Sequence, residues 1–236
     1  MNPRRVSVVP PTLATRVAIE AIAVIIFASA AFLLVRYPLL PWLLPVHFKL
    51  DGLPNGWQYK TYARVFMPVF VQLALALTFG AIGVLLLSRN HGTHDEEAAD
   101  VKAAAAGAEA VTLIALIWVA FQGYAGWALV AMWTTERAGL GFWYVYLELA
   151  GLVLTGVVAM RAHVLLGRPV ARPFVAEHWR FGQFYRNPND PALFVPTRYG
   201  SRWTLNFGRP VAAALLGLIL SIGILAPTVI LGLLLR

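Results

Sequence analysis

Hydrophobic residues run almost without interruption over 17–35, 65–87, 111–133, 142–166 and 211–235. Each run supplies the roughly 20 residues that a helix rising about 1.5 Å per residue needs to cross a hydrocarbon core of about 30 Å. The pattern predicts an all-α integral membrane protein with five transmembrane helices. Polar and turn-forming residues gather between the runs. The connections 36–64 and 167–210 are long and rich in Pro, Gly, Trp and Tyr, a composition of ordered, interface-hugging segments. Residues 88–102 read as a solvated acidic turn, and 134–141 as a tight reversal. The linear division is a membrane domain over 1–166, a loop module over 167–210 and a fifth helix within 211–236. In the module, 192–196 and 202–207 alternate around Tyr199-Gly200, which predicts a β-hairpin.

Charge orients the helices. Lys and Arg number three ahead of helix 1, two between helices 2 and 3, and eight across the inner end of helix 4 and the following loop. The other side carries six against these thirteen, which predicts an N-in, C-out topology with 167–210 in the cytoplasm. Arg4 and Arg5 ahead of Ala28-Ser29-Ala30 resemble a signal peptide, but the apolar run continues through Val35, so an uncleaved helix is expected.

Composition narrows the function classes. The 236 residues are 59% hydrophobic and 13% charged, with a mean hydropathy of +0.69. The net charge of +8 sits mainly beside the spans, where it meets anionic lipid headgroups; nucleic acid is not an expected partner. With no cysteine, disulfides and thiol catalysis are excluded. His91, His94 and Asp95 have the composition of a metal site but lack a clear third and fourth ligand, and neither a metal nor a cofactor is expected.

The most distinctive string lies in the 36–64 connection. Pro45, His47 and Phe48 precede two turn signals, Asp51-Gly52 and Asn55-Gly56, followed by Trp57 and Lys60. The candidate recognition residues are His47, Phe48, Asp51, Gly52, Asn55, Gly56, Trp57 and Lys60. This string resembles the first-loop signature of the SdpI-like family of bacterial membrane proteins, with Lys49 standing where that signature usually has Asn. A second string, Tyr185, Asn187, Pro188, Asp190 and Pro191 followed by Trp203 and Asn206, resembles an uncharacterised module that accompanies this membrane domain. The resemblance implies a multi-pass protein of the bacterial inner membrane that confers immunity to a secreted toxic peptide and passes a signal inward.

Polar residues inside the apolar runs are the remaining candidates. Glu148 lies about six residues into helix 4, roughly 9 Å from its outer end. Gln72 and Gln122 lie in helices 2 and 3, where the three either line an outward-facing polar cavity or hydrogen-bond across helices. Glu109 reads as interfacial. No catalytic or phosphate-binding motif is visible, so a non-enzyme is expected. The leading expectation is recognition of an external peptide or envelope signal. The alternatives are an accessory subunit of a larger membrane-protein complex and, below it, a small transporter or intramembrane enzyme using Glu148.

Overall fold

The computed structural model of the chain describes residues 6–49, 53–90, 96–135, 139–166, 173–190, 192–200 and 203–217. Among these, four segments are long and apolar enough to cross a membrane: Leu13–Leu39, Met67–Leu87, Val101–Thr135 and Phe142–Leu166. The chain is a multi-pass membrane protein. Most of the expected fifth run lies outside the described residues; its beginning, 210–217, is helical.

Helix α1 covers Leu13–Arg36 and starts ahead of the apolar run, because the Thr12 side chain accepts the Thr15 N–H as an N-cap. The second run is broken at Phe66 into a single turn, α2 (Tyr62–Val65), and the span α3 (Met67–Leu87), with Pro68 in the first turn where its missing N–H costs nothing. The third run is the middle of α4, which extends over Glu96–Thr135. Residues 88–102 are therefore not one solvated turn. Alanines at 103–106 have the highest helix propensity. Helix α5 spans Phe142–Leu166.

The chain forms two compact units, each discontinuous in sequence. The first holds 12–80 and 109–161. Its core gathers Leu33, Leu40, Leu44, Val65, Val69, Val130, Met132 and Trp133, with a second cluster at Ile22, Ala115 and Val119. Between α1 and α2 the chain forms an antiparallel hairpin of β2 (Leu43–Phe48) and β3 (Pro54–Tyr59). This hairpin was not expected from the sequence.

The second unit holds 1–11, 81–108 and 162–236. Strand β1 (Val6–Val8) pairs antiparallel with β4 (Ser88–Asn90). The Val9 N–H continues that contact to the Leu87 carbonyl at 2.9 Å. Farther along the chain are two small hairpins, β5 (Trp179–Arg180) with β6 (Phe184–Tyr185), and β7 (Phe194–Pro196) with β8 (Trp203–Leu205). The second turns through Tyr199-Gly200, with the Gly200 N–H donating to the Thr197 carbonyl at 2.8 Å.

Candidate functional site

The β2–β3 hairpin carries most of the first motif. Its register shifts around Val46, so that Pro45 pairs with Trp57 but His47 with Gly56 and Phe48 with Pro54. Such a bulge bends the ladder and re-aims the side chains beside it. A Cβ on Gly56 would lie 2.7 Å from His47 Cδ2, so only glycine lets the imidazole rest against the opposite strand. His47, Lys49, Asn55 and Trp57 are exposed, and Phe48 is half-buried. Asp51 and Gly52 lie outside the described residues.

Three contacts hold the base of this hairpin. Trp133 Nε1 of α4 donates to the Pro45 carbonyl at 2.9 Å. Lys60 Nζ donates to the carbonyls of Leu40 at 2.8 Å and Tyr37 at 3.3 Å, and lies 5.0 Å from the Tyr37 ring centroid. Arg64 Nη1 donates to the Tyr59 carbonyl at 2.8 Å. Lys60 therefore caps the chain just past the end of α1, where the Tyr37 carbonyl also accepts the Leu40 N–H, and does not stand on the exposed face with His47. Around the base, Trp42 and Tyr59 are exposed with centroids 6.4 Å apart, and Tyr37 stacks on Tyr62 at 4.0 Å.

The intramembrane polar residues are not arranged alike. Gln72 is fully buried, and its Nε2 donates to Ser29 Oγ at 3.1 Å and the Val119 carbonyl at 2.9 Å. It ties α1, α3 and α4 together, which is the cross-helix reading of this residue. Gln122 is half-buried, and Glu148 is exposed on α5. Glu109, read from the sequence as interfacial, is buried at 6% exposure. Its carboxylate accepts from Thr12 Oγ1 at 2.7 Å and pairs with the Arg161 guanidinium. This cluster joins α1, α4 and α5. The sequence signal for it was the lone arginine inside an apolar run, opposite in sign to Glu109.

The second motif is consumed by its own fold. Asn206 is fully buried, with its Oδ1 accepting the N–H groups of Asn187 at 3.0 Å and Gly208 at 2.9 Å. Its Nδ2 faces the carbonyls of Asn187 at 2.9 Å and of Asp190 and Ala192 at 3.2 Å. Tyr185 Oη donates to Asp190 Oδ2 at 2.9 Å, Asp190 Oδ1 accepts the Ala192 N–H at 2.9 Å, and Asn187 Oδ1 accepts the Asn189 N–H at 3.0 Å. Pro188 removes a donor that this tight clasp could not satisfy. A Cβ on Gly208 would lie 2.5 Å from the Asn187 carbonyl carbon. Trp203, on β8, pairs with Pro196. Pro191 lies outside the described residues. Tyr185 packs against His178 and Trp179, and Phe207 against Phe184.

No group of three or more His, Asp or Glu residues able to hold a metal occurs among the described residues. Residues 24–71 match a domain of unknown function (DUF1648), and 188–212 match a family of unknown function (DUF5808). The first interval contains the whole β2–β3 hairpin, and the second contains Asn206 and Gly208. Neither description names an enzymatic activity. No curated protein and no solved structure matches the chain.

Proposed function

We propose that the chain is an SdpI-like, non-enzymatic protein of the bacterial inner membrane that recognises an external peptide or envelope signal through the β2–β3 hairpin. In this reading five helices cross the bilayer, N-in and C-out, with the membrane domain over 1–166, the module 167–210 in the cytoplasm and the fifth span within 211–236. The carrying observation is the bulged His47–Gly56 pair on a hairpin tied down by Trp133 and Lys60. A hairpin anchored at its base while presenting His47, Lys49, Asn55 and Trp57 has little ordering entropy left to lose on binding. Extended peptides can add to such an edge through main-chain hydrogen bonds.

The test is expression in a host sensitive to a panel of secreted toxic peptides. Wild type raises survival against a cognate peptide, and His47→Ala abolishes protection at unchanged membrane abundance. Absence of protection across a broad panel overturns the reading. Periplasmic and cytoplasmic reporters inserted at 51–56 and 187–196 check the orientation separately.

A second reading, an accessory subunit of a larger membrane complex, is favoured by α5. Gly151 is its buried residue, while Glu148 is exposed about six residues into the span. A carboxylate facing hydrocarbon costs about 3 kcal/mol on insertion scales, a cost that a donor from a partner helix would offset. A stoichiometric partner copurifying in mild detergent and lost with Glu148→Leu supports this reading over the first.

A further inference from the structure

We propose that the two-hairpin module docks on an anionic lipid surface, with Phe181 and Tyr199 entering the headgroup layer and Arg180 and Arg198 binding lipid phosphates. Such docking is independent of peptide recognition by the β2–β3 hairpin, and the first tip has a backbone conformation that its sequence does not favour. The Arg180–Gln183 turn, closed by the Gln183 N–H donating to the Arg180 carbonyl at 3.2 Å, places Phe181 at φ +51° and Gly182 at φ +70°. Positive φ at both central residues suits Asn-Gly; a bulky aromatic there is strained. Phe181 is also 95% exposed, so it gains no burial inside the protein to offset that strain.

The second hairpin repeats the presentation. Tyr199 is 85% exposed on the turn between β7 and β8. Arg198 links the tips: its Cζ lies 4.6 Å from the Phe174 ring centroid and 6.0 Å from that of Tyr199, and a Cβ on Gly182 would lie 3.8 Å from its Nη1. Two aromatic rings thus stand on the two turns, with the Arg198 guanidinium beside Tyr199 and close to Gly182.

Charge complementarity selects the occupant. Residues 173–209 contain five arginines and two acids, giving +3 with neutral histidine, and one of those acids, Asp190, is engaged by Tyr185 and Ala192. Aromatic tips flanked by arginine fit the boundary between acyl chains and anionic headgroups, where the ring is sheltered and the guanidinium meets phosphate.

The absence of cysteine makes a clean test available. Gln183→Cys, exposed in the first turn, carries a nitroxide in the full chain reconstituted into vesicles of phosphatidylcholine with or without phosphatidylglycerol. The expected result is shielding from an aqueous nickel complex with retained access to oxygen in anionic vesicles, and loss of shielding in neutral vesicles or high salt. Arg180→Gln should lower the docked-to-undocked ratio about fivefold, the weight of one basic residue near such a surface. Phe181→Ser should restore aqueous access without changing reconstitution. Aqueous access in anionic vesicles overturns the proposal. So does equal shielding in neutral vesicles and detergent, which would place a protein partner on the tips.

Discussion

The Trp133 indole donates a 2.9 Å hydrogen bond to the Pro45 carbonyl, joining α4 to β2 across 88 residues of chain. Trp133 is itself buried at 6% exposure beside Leu44, so the contact combines packing with a polar anchor. Trp133→Phe keeps most of the ring volume and removes the donor. The expected cost is about 1 kcal/mol, felt as faster amide exchange over 43–48 with unchanged exchange in α3. Uniform acceleration throughout both elements would show that the bond does not act locally.

Gly56→Ala places a methyl group 2.7 Å from His47 Cδ2 and 3.0 Å from His47 Cβ, so the imidazole must leave its position on the opposite strand. Peptide protection should fall as far as in His47→Ala. Pairing Gly56→Ala with His47→Ala removes the 2.7 Å contact and leaves the 3.0 Å contact between the two Cβ atoms, so hairpin exchange rates should recover in part but protection should not. Full protection by Gly56→Ala alone would remove His47 from the recognition surface.

The clasp around Asn206 gives a different expectation. Asn206→Ala takes the shared acceptor from the half-buried N–H groups of Asn187 and Gly208 and one donor from each of three carbonyls, a loss of roughly 3 kcal/mol. Limited proteolysis of native membranes should cut 182–210 much faster in this variant. Exchange over 43–59 should not change. Gly208→Ala should act in the same direction, because its Cβ meets backbone that cannot rotate aside. Resistance equal to wild type in both variants would mean that this network does not hold the module.

The legibility of the fold follows the range of the forces involved. Long apolar runs reveal spans because each residue contributes to the same signal, and Tyr199-Gly200 reveals β7–β8 because the turn and its flanking alternation are local. The β2–β3 hairpin was hidden by Pro45 and Pro54, which depress strand propensity while its anchors come from Lys60 and distant Trp133. In sequence Lys60 reads as available for a ligand, because only the folded chain brings the carbonyls of Tyr37 and Leu40 to its ammonium. Glu109 and Arg161 lie 52 residues apart, and each alone reads as an interfacial charge. In the second motif the residues stand out in the sequence, but their mutual satisfaction around Asn206 arises only where the fold brings 187–192 against 206–208.

Glu109 and Arg161 should respond unequally to neutralisation, because their side chains are 8% and 57% exposed. Arg161→Gln strands a buried carboxylate that keeps Thr12 as a donor, at an expected cost of about 2 kcal/mol. Glu109→Gln keeps a side-chain oxygen for the Arg161 guanidinium, which lies near the C-terminal end of its span where a long basic side chain reaches the headgroup layer, and should cost about 1 kcal/mol or less. Denaturant titration in mixed micelles measures the order. Equal losses would indicate that the pair is screened as an exposed bridge is.

Gln72 separates a structural polar residue from a recognition residue. Its Nε2 bonds to Ser29 and the Val119 carbonyl are the kind of cross-helix contact that contributes about 0.6 kcal/mol on average in a membrane. Leucine has nearly the same length and gains in transfer to an apolar interior what the amide loses. Gln72→Leu should therefore change stability by less than about 1 kcal/mol, with wild-type abundance and undiminished peptide protection. Loss of protection at normal abundance would put Gln72 in the recognition site despite its complete burial, and would require an opening between α1, α3 and α4 during binding.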